Sequence, residues 1–272
     1  MILMYENPET FRLAAFLAVF IVMAIAEMIW PRRRLLVSKA ERWLGNLTIV
    51  IVNTLIMRVL IPIAPYGMAA LAQNRGWGLF NHLQLSGVFE IAASLLLLDL
   101  IIYLQHRMFH RVSLLWRLHR MHHTDLDLDV SSGNRFHPLE IITSLAVKLA
   151  AVFLLGSSPV SVLLFEVLLN ATSMFNHTNV RIPVSVDTWL RMILVTPDMH
   201  RVHHSVIPRE TDSNFGFSLP WWDRLFATYR AQPRDGHDRM VIGLKEFRNL
   251  NQLGIKQLLF IPFVPVSSRR EP

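Results

Sequence analysis

The chain has 272 residues, of which 52% are hydrophobic and 17% charged, with a net charge of +7. A soluble domain normally carries about 25% charge, so disorder is excluded and the composition argues against an ordinary cytosolic enzyme and for a membrane protein with a polar part. The absence of cysteine removes disulfides, thiolate metal sites and a cysteine nucleophile. Basic residues flank the apolar segments and form no separate basic domain, which argues against nucleic-acid binding and for anionic headgroups.

In chain order, residues 11 to 30 form the first apolar run, long enough for about 30 Å of hydrocarbon. Pro31-Arg32-Arg33-Arg34 follows it in place of a small-residue cleavage site, so a span is expected and not a signal peptide. A second run, 46 to 72, is interrupted by Arg58, Pro62 and Pro65. Arg58 is costly in mid-membrane, so it is expected to snorkel, or else the span begins later. A third run covers 87 to 105. A fourth, 140 to 176, is long enough for two helices, and Gly156-Ser157-Ser158-Pro159 marks a hairpin turn at its middle. The tail holds no span, and 257–266 is expected to lie in the interface.

Orientation follows from Arg32, Arg33, Arg34, Lys39 and Arg42 between the first two runs. The positive-inside rule puts that loop in the cytoplasm. Residue 106 and both ends of the hairpin then lie on the same side. The expected fold is all-α: an integral membrane helical bundle of four to five spanning or hairpin helices with a cytoplasmic histidine-rich cap. One domain, 1–272, is expected, with N-terminal spans in 1–86, the histidine-motif core in 87–230 and a tail in 231–272.

Ten of the 12 histidines lie between residues 106 and 204. His106 and His110 are four apart, and His119, His122 and His123 form HxxHH. His200, His203 and His204 repeat that pattern, with His137 and His177 as singles. Residues three and four apart share a helix face, so the rings in each cluster converge. Imidazole binds first-row metals, and this many rings exceeds what one tetrahedral zinc uses and suits two metals. His82 and His237 match no pattern and read as surface residues. Asp99 and Tyr103 continue the face of His106 and His110. Asp99 is expected to accept the second N–H of a ligating histidine, to be a ligand itself, or simply to reach water at the interface.

The run of D-x3-Y-x2-H-R-x2-H, HRMHH, RFHPLE and HRVHHS resembles the fatty acid hydroxylase and sterol desaturase superfamily. Asp212-Ser213-Asn214-Phe215-Gly216 and Trp221-Trp222-Asp223-Arg224-Leu225-Phe226 extend the likeness, which covers roughly 87 to 230. The resemblance implies a membrane oxygenase with a histidine-bound pair of irons, using O2 and two external electrons to hydroxylate or desaturate a lipid. Zinc is a possible substitute for iron. The implied ligands are His106, His110, His119, His122, His123, His200, His203 and His204, with His137 and His177 less securely matched. No flavin or dinucleotide fingerprint is present, so the resemblance implies a ferredoxin or cytochrome b5-like donor. Arg107, Arg111, Arg117, Arg120 and Arg201 are suited to an acidic carrier and equally to lipid headgroups. Two other readings are a zinc-dependent membrane hydrolase, with Glu140 as the nearest carboxylate, and a non-enzymatic metal carrier.

Overall fold

The computed structural model describes residues 7–61, 63–250 and 254–265. The helices that matter here are α1 (Pro8–Ile29), α2 (Lys39–Leu60), α3 (Pro65–Arg75), α4 (Gly87–Arg111), α5 (Ser113–His123), α6 (Pro138–Leu155), α7 (Pro159–His177), α8 (Pro197–His203) and α9 (Ile255–Phe260). Among the described residues there is no strand, only isolated bridges at Pro31–Val180 and Ser205–Ile242. Five stretches among the described residues are long and apolar enough to cross a membrane: α1, the stretch between Lys39 and His82 that contains α2 and α3, α4, α6 and α7.

Local chemistry sets the helix ends. Asn7 caps α1 by accepting from the Thr10 amide at 3.2 Å, and Pro8 follows at the first position, where its missing N–H costs nothing. Ser158 caps α7 in the same way, accepting from the Ser161 amide. Between α6 and α7 the hairpin turn falls at Gly156, in the left-handed region at φ 68°. That glycine lies so close to Gly78 that a Cβ on Gly78 would sit 2.3 Å from the Gly156 nitrogen.

The second span differs from its expected bounds. It starts at Lys39, because Arg42, Asn46 and Asn53 turn a buried polar face toward the 124–136 segment. Arg42 pairs with Asp125 at 2.8 Å and Asn46 donates to Ser131 Oγ at 2.8 Å. Arg58 therefore falls in the last turn, where its exposed side chain lies 3.8 Å from Glu9 at the start of α1. α3 is a separate helix packed on α6 and α7.

Between the spans, Ala69, Leu98, Ile102, Ala151, Val152, Val162 and Phe165 form the main apolar cluster. In a bilayer such contacts gain dispersion and close packing, since lipid tails are as apolar as the side chains. Two buried carboxylates are compensated. Glu166 of α7 lies 3.2 Å from Arg12 of α1 and 3.5 Å from Lys148 of α6. Glu90 near the start of α4 accepts from the amide and hydroxyl of Ser158 and from the hydroxyls of Ser94 and Ser161. This ties α4 to the hairpin at one end of the bundle.

The polar cap occupies the other end. Glu27 near the end of α1 accepts from the amides of Val130 and Asn179 and pairs with Lys39 at 2.9 Å. The turn at Ser132–Asn134 lies against α7, where a Cβ on Gly133 would meet the Ser173 carbonyl oxygen at 2.6 Å. The last turns of α4 and α7 and the first turn of α6 open into this cap.

Candidate metal centre

α4 delivers His106 and His110 from its last turns, and α5 carries His119, His122 and His123. α7 ends on His177, while α8 and the residue after it supply His200, His203 and His204. Nine rings converge as two donor groups. His106, His110, His119, His123 and His203 form one, and His122, His177, His200 and His204 form the other. Within each group the nearest ring nitrogens all lie within 4.8 Å of one another. The groups adjoin: His123 of the first stacks on His204 of the second, with centroids 4.6 Å apart.

The two HxxHH motifs are therefore interleaved. In each, the pair four residues apart joins one group and the middle histidine joins the other. All nine rings are at most 6% exposed. Burial, and after it the neighbouring imidazoles, hold His122, His123, His200, His203 and His204 well below the usual histidine range. They are neutral, the form that binds a metal.

Hydrogen bonding shows which nitrogen is available. His106 Nδ1 donates to the Phe215 carbonyl at 2.8 Å, His177 Nδ1 to Ser173 at 2.7 Å and His203 Nδ1 to Ser213 at 2.8 Å. His122 Nδ1 donates to the Arg135 carbonyl at 3.3 Å. His119 Nδ1 donates to Glu140 Oε1 at 2.6 Å and His110 Nδ1 to Asp212 Oδ1 at 3.2 Å. A carbonyl only accepts, so in His106, His122, His177 and His203 the proton is on Nδ1 and Nε2 is a bare lone pair. Yet His106 Nε2 lies 3.1 Å from His119 Nε2, and His177 Nε2 lies 3.1 Å from both His122 Nε2 and His200 Nε2. Between His122 and His177, whose Nδ1 atoms both face carbonyls, two bare lone pairs at that distance repel, and a cation between them removes the repulsion. A metal–nitrogen bond of about 2.1 Å separates neighbouring ligand nitrogens by roughly 3.0–3.4 Å. The donor sets fit metal ions in spacing, in protonation and, for six of the nine rings, in the outward acceptor at Nδ1.

The remaining site candidates lie elsewhere. His137 is outside both groups, because its ring is used at the start of α6. Its Nδ1 accepts from the Leu139 amide and its Nε2 donates to the Leu259 carbonyl, each at 3.1 Å. Asp99 faces no histidine. Its Oδ2 accepts from Trp222 Nε1 at 2.9 Å and from the Leu219 amide at 3.3 Å. Tyr103 bonds Thr228 Oγ1 at 2.8 Å and stacks on Phe226. Both residues thus clamp the 215–228 segment to α4. Asp223 completes the clamp by accepting from the Phe215 and Gly216 amides, each at 2.8 Å. The tryptophan–aspartate motif thereby holds the Phe215 carbonyl against His106.

His237 is buried and not on the surface, and burial lowers it to about 4, with Asp198 3.8 Å away. Arg120 and Arg201 are also buried. Arg120 donates to the carbonyls of Ile261 and Val264, and Arg201 pairs with Asp198 and donates to the Thr178 carbonyl. Neither is placed to meet a carrier. The sequence reading missed the supports of the rings. Glu140 and Asp212 were visible as carboxylates near the motifs, but backbone carbonyls have no side-chain signature.

A sequence model described as fatty acid hydroxylase matches residues 91–228, about half of the chain and all nine clustered histidines. An ornithine lipid hydroxylase of Rhizobium tropici is 32% identical over 147 residues, which cover 54% of this chain and 43% of that protein. Alkylglycerol monooxygenase of Homo sapiens is 33% identical over 144 residues, covering 52% and 30%. A very-long-chain aldehyde decarbonylase of Oryza sativa subsp. indica is 26% identical over 200 residues, covering 67% and 30%. The chain thus spans less than half the length of these curated relatives. No solved structure matches. On the match to the family model, with its histidine motifs in place, the chain belongs to the fatty acid hydroxylase family.

Proposed function

We propose that this protein is a membrane-bound oxygenase that holds two irons and uses O2 and two external electrons to hydroxylate a lipid. The observation that carries the reading is the pair of adjoining, buried, all-imidazole donor sets of five and four rings. Nitrogen donors without thiolates suit iron, and zinc takes the same rings. Iron held by His106, His110, His119, His123 and His203, and by His122, His177, His200 and His204, supplies with O2 the oxidising power that an unactivated C–H bond requires.

The chain's own residues do the rest. The Phe215, Ser213, Ser173 and Arg135 carbonyls, with Glu140 and Asp212, hold six rings through Nδ1 with Nε2 turned inward. Burial of all nine rings keeps bulk water from the reacting carbon. Both donor sets lie where α4 and α7 leave the bilayer, within reach of a chain that stays in the membrane. The lipids named for the two hydroxylating relatives support a lipid substrate, and hydroxylation is preferred to desaturation as the simpler outcome.

Arg32, Arg33 and Arg34 follow α1 at the histidine end of the bundle, which supports a cytoplasmic placement of the centre. A ferredoxin or cytochrome b5-like carrier is the proposed electron donor, with Arg107 and Arg111 still at the surface to meet it. The whole chain, 1–272, is read as one hydroxylase-type unit. A zinc hydrolase is weaker, because Glu140, its general base, is engaged by His119 Nδ1. A metal carrier would place donors along a path across the bilayer, and these lie at one end.

Elemental analysis and Mössbauer spectroscopy of detergent-purified protein from iron-fed cells test the reading. About two irons per chain with a coupled diferric signal are expected. One metal or none, or failure of a zinc-loaded sample to take up two irons anaerobically, would overturn it.

A further inference from the structure

A groove of about 420 Å³ runs between α5, α6 and the segment just after α9. That volume is within the roughly 300–1,000 Å³ of small-molecule sites. Leu114 and Leu118 of α5, Leu139 and Ile142 of α6, and Phe263 form its apolar walls. Of the described residues that line it, Arg117 is the one charged group.

Three observations bear on its occupant. The first is depth. Leu139 and Ile142 lie in the first turns of α6, where that span meets the polar cap. Leu114, Leu139 and Phe263 are 66%, 41% and 61% exposed, so the rim is apolar and open at the level where chains meet headgroups. The second is its neighbour. Leu118 precedes His122 by one helical turn, and Glu140, beside Leu139, accepts from His119. The groove therefore runs alongside the donor sets. The third is charge. Arg117 Nε donates to the Pro262 carbonyl at 2.6 Å, which fixes an exposed guanidinium at the rim.

We infer that this groove takes one acyl chain of a membrane phospholipid, with the phosphate on Arg117. A guanidinium pairs with phosphate through two parallel N–H bonds, and an apolar channel beside it accepts the chain. The inference rests on the oxygenase reading only in taking that chain for substrate.

The test is photo-cross-linking of the full chain in maltoside micelles, which contain no competing phosphate. The probe is a phosphatidylglycerol with a diazirine in the middle of one chain, and a diacylglycerol with the same chain is the neutral comparator. Peptides spanning 114–118 and 139–143 are expected to carry most of the label. Ile142→Trp should lower that labelling at least tenfold, and Leu139→Trp, at an exposed position, should do the same if the first variant fails to fold. Arg117→Gln should lower labelling by phosphatidylglycerol about tenfold and leave the diacylglycerol unchanged. Label spread evenly over α1 and α2, labelling indifferent to both tryptophans, or equal labelling by the two probes in the unaltered protein would overturn the proposal. The readout needs neither metal nor turnover. Lipid hydroxylation with label elsewhere defeats the groove alone, and label in the groove of a protein that binds no iron defeats the oxygenase alone.

Discussion

His122 and His123 are neighbours in sequence and belong to different donor sets, their ring planes perpendicular with centroids 5.4 Å apart. Each set should therefore be separable by a single substitution on α5. His122→Ala is expected to lower iron from about two to about one per chain, and so is His123→Ala. Each should lower lipid turnover by at least 100-fold. Metal analysis and a turnover assay check this, and unchanged iron in either variant would show that the ring is not a ligand.

Glu140 acts on the centre through His119. Loss of a partner that orients a ligating histidine costs about 10–100-fold in metal affinity or activity. Glu140→Gln should keep about two irons at saturation but release one more readily to a chelator. A release curve identical to that of the unaltered protein would sink this role.

Asp99 is a clamp on the closing segment, so its substitution should read out first as stability. Asp99→Asn weakens the charge-assisted bond from Trp222, a loss of about 1.5–3 kcal/mol. Trp222→Phe should cost a similar amount, and the double variant little more than either single one. Detergent unfolding curves measure this. Loss of all metal at unchanged stability would make Asp99 a ligand after all.

Glu166 sits between two cations within the spans. Glu166→Leu leaves Arg12 and Lys148 without their shared anion, at a cost of about 3–5 kcal/mol. Replacing Arg12 and Lys148 by leucine in the same chain should recover much of the loss. No recovery would show that the carboxylate does something besides compensating those charges.

His237 supplies a pH dependence. Its folded pKa, about 4, is below the unfolded value of about 6.5, so the unfolded chain binds the extra proton first. This contribution is complete above about 6.5 and is lost as pH falls toward 4. His237→Gln should flatten the stability profile across that window. An unchanged slope between pH 6.5 and 4 would contradict this assignment.

The spans were legible as apolar runs, and the hairpin was marked by its glycine, serines and proline. The start of α2 was not, because Lys39 and Arg42 look like loop residues until the buried Glu27 and Asp125 they meet are known. The histidines were equally legible from their spacing. Their division into two sets was not, since i+3 and i+4 spacing says only that rings share a face and leaves open which neighbour each ring meets. His137 matched the pattern in sequence, but a proline directly after it makes it the cap of α6.

Among the described residues both donor sets consist of histidines alone, and no carboxylate side chain spans them. The gap between the two sets is therefore a property of backbone geometry, fixed by the difference between three and four residues along α5 and again along α8. A rotation of α5 that draws its rings into one set withdraws them from the other. The two positions are thus geared together like teeth on one shaft, and lengthening or shortening any single side chain would leave their spacing unchanged.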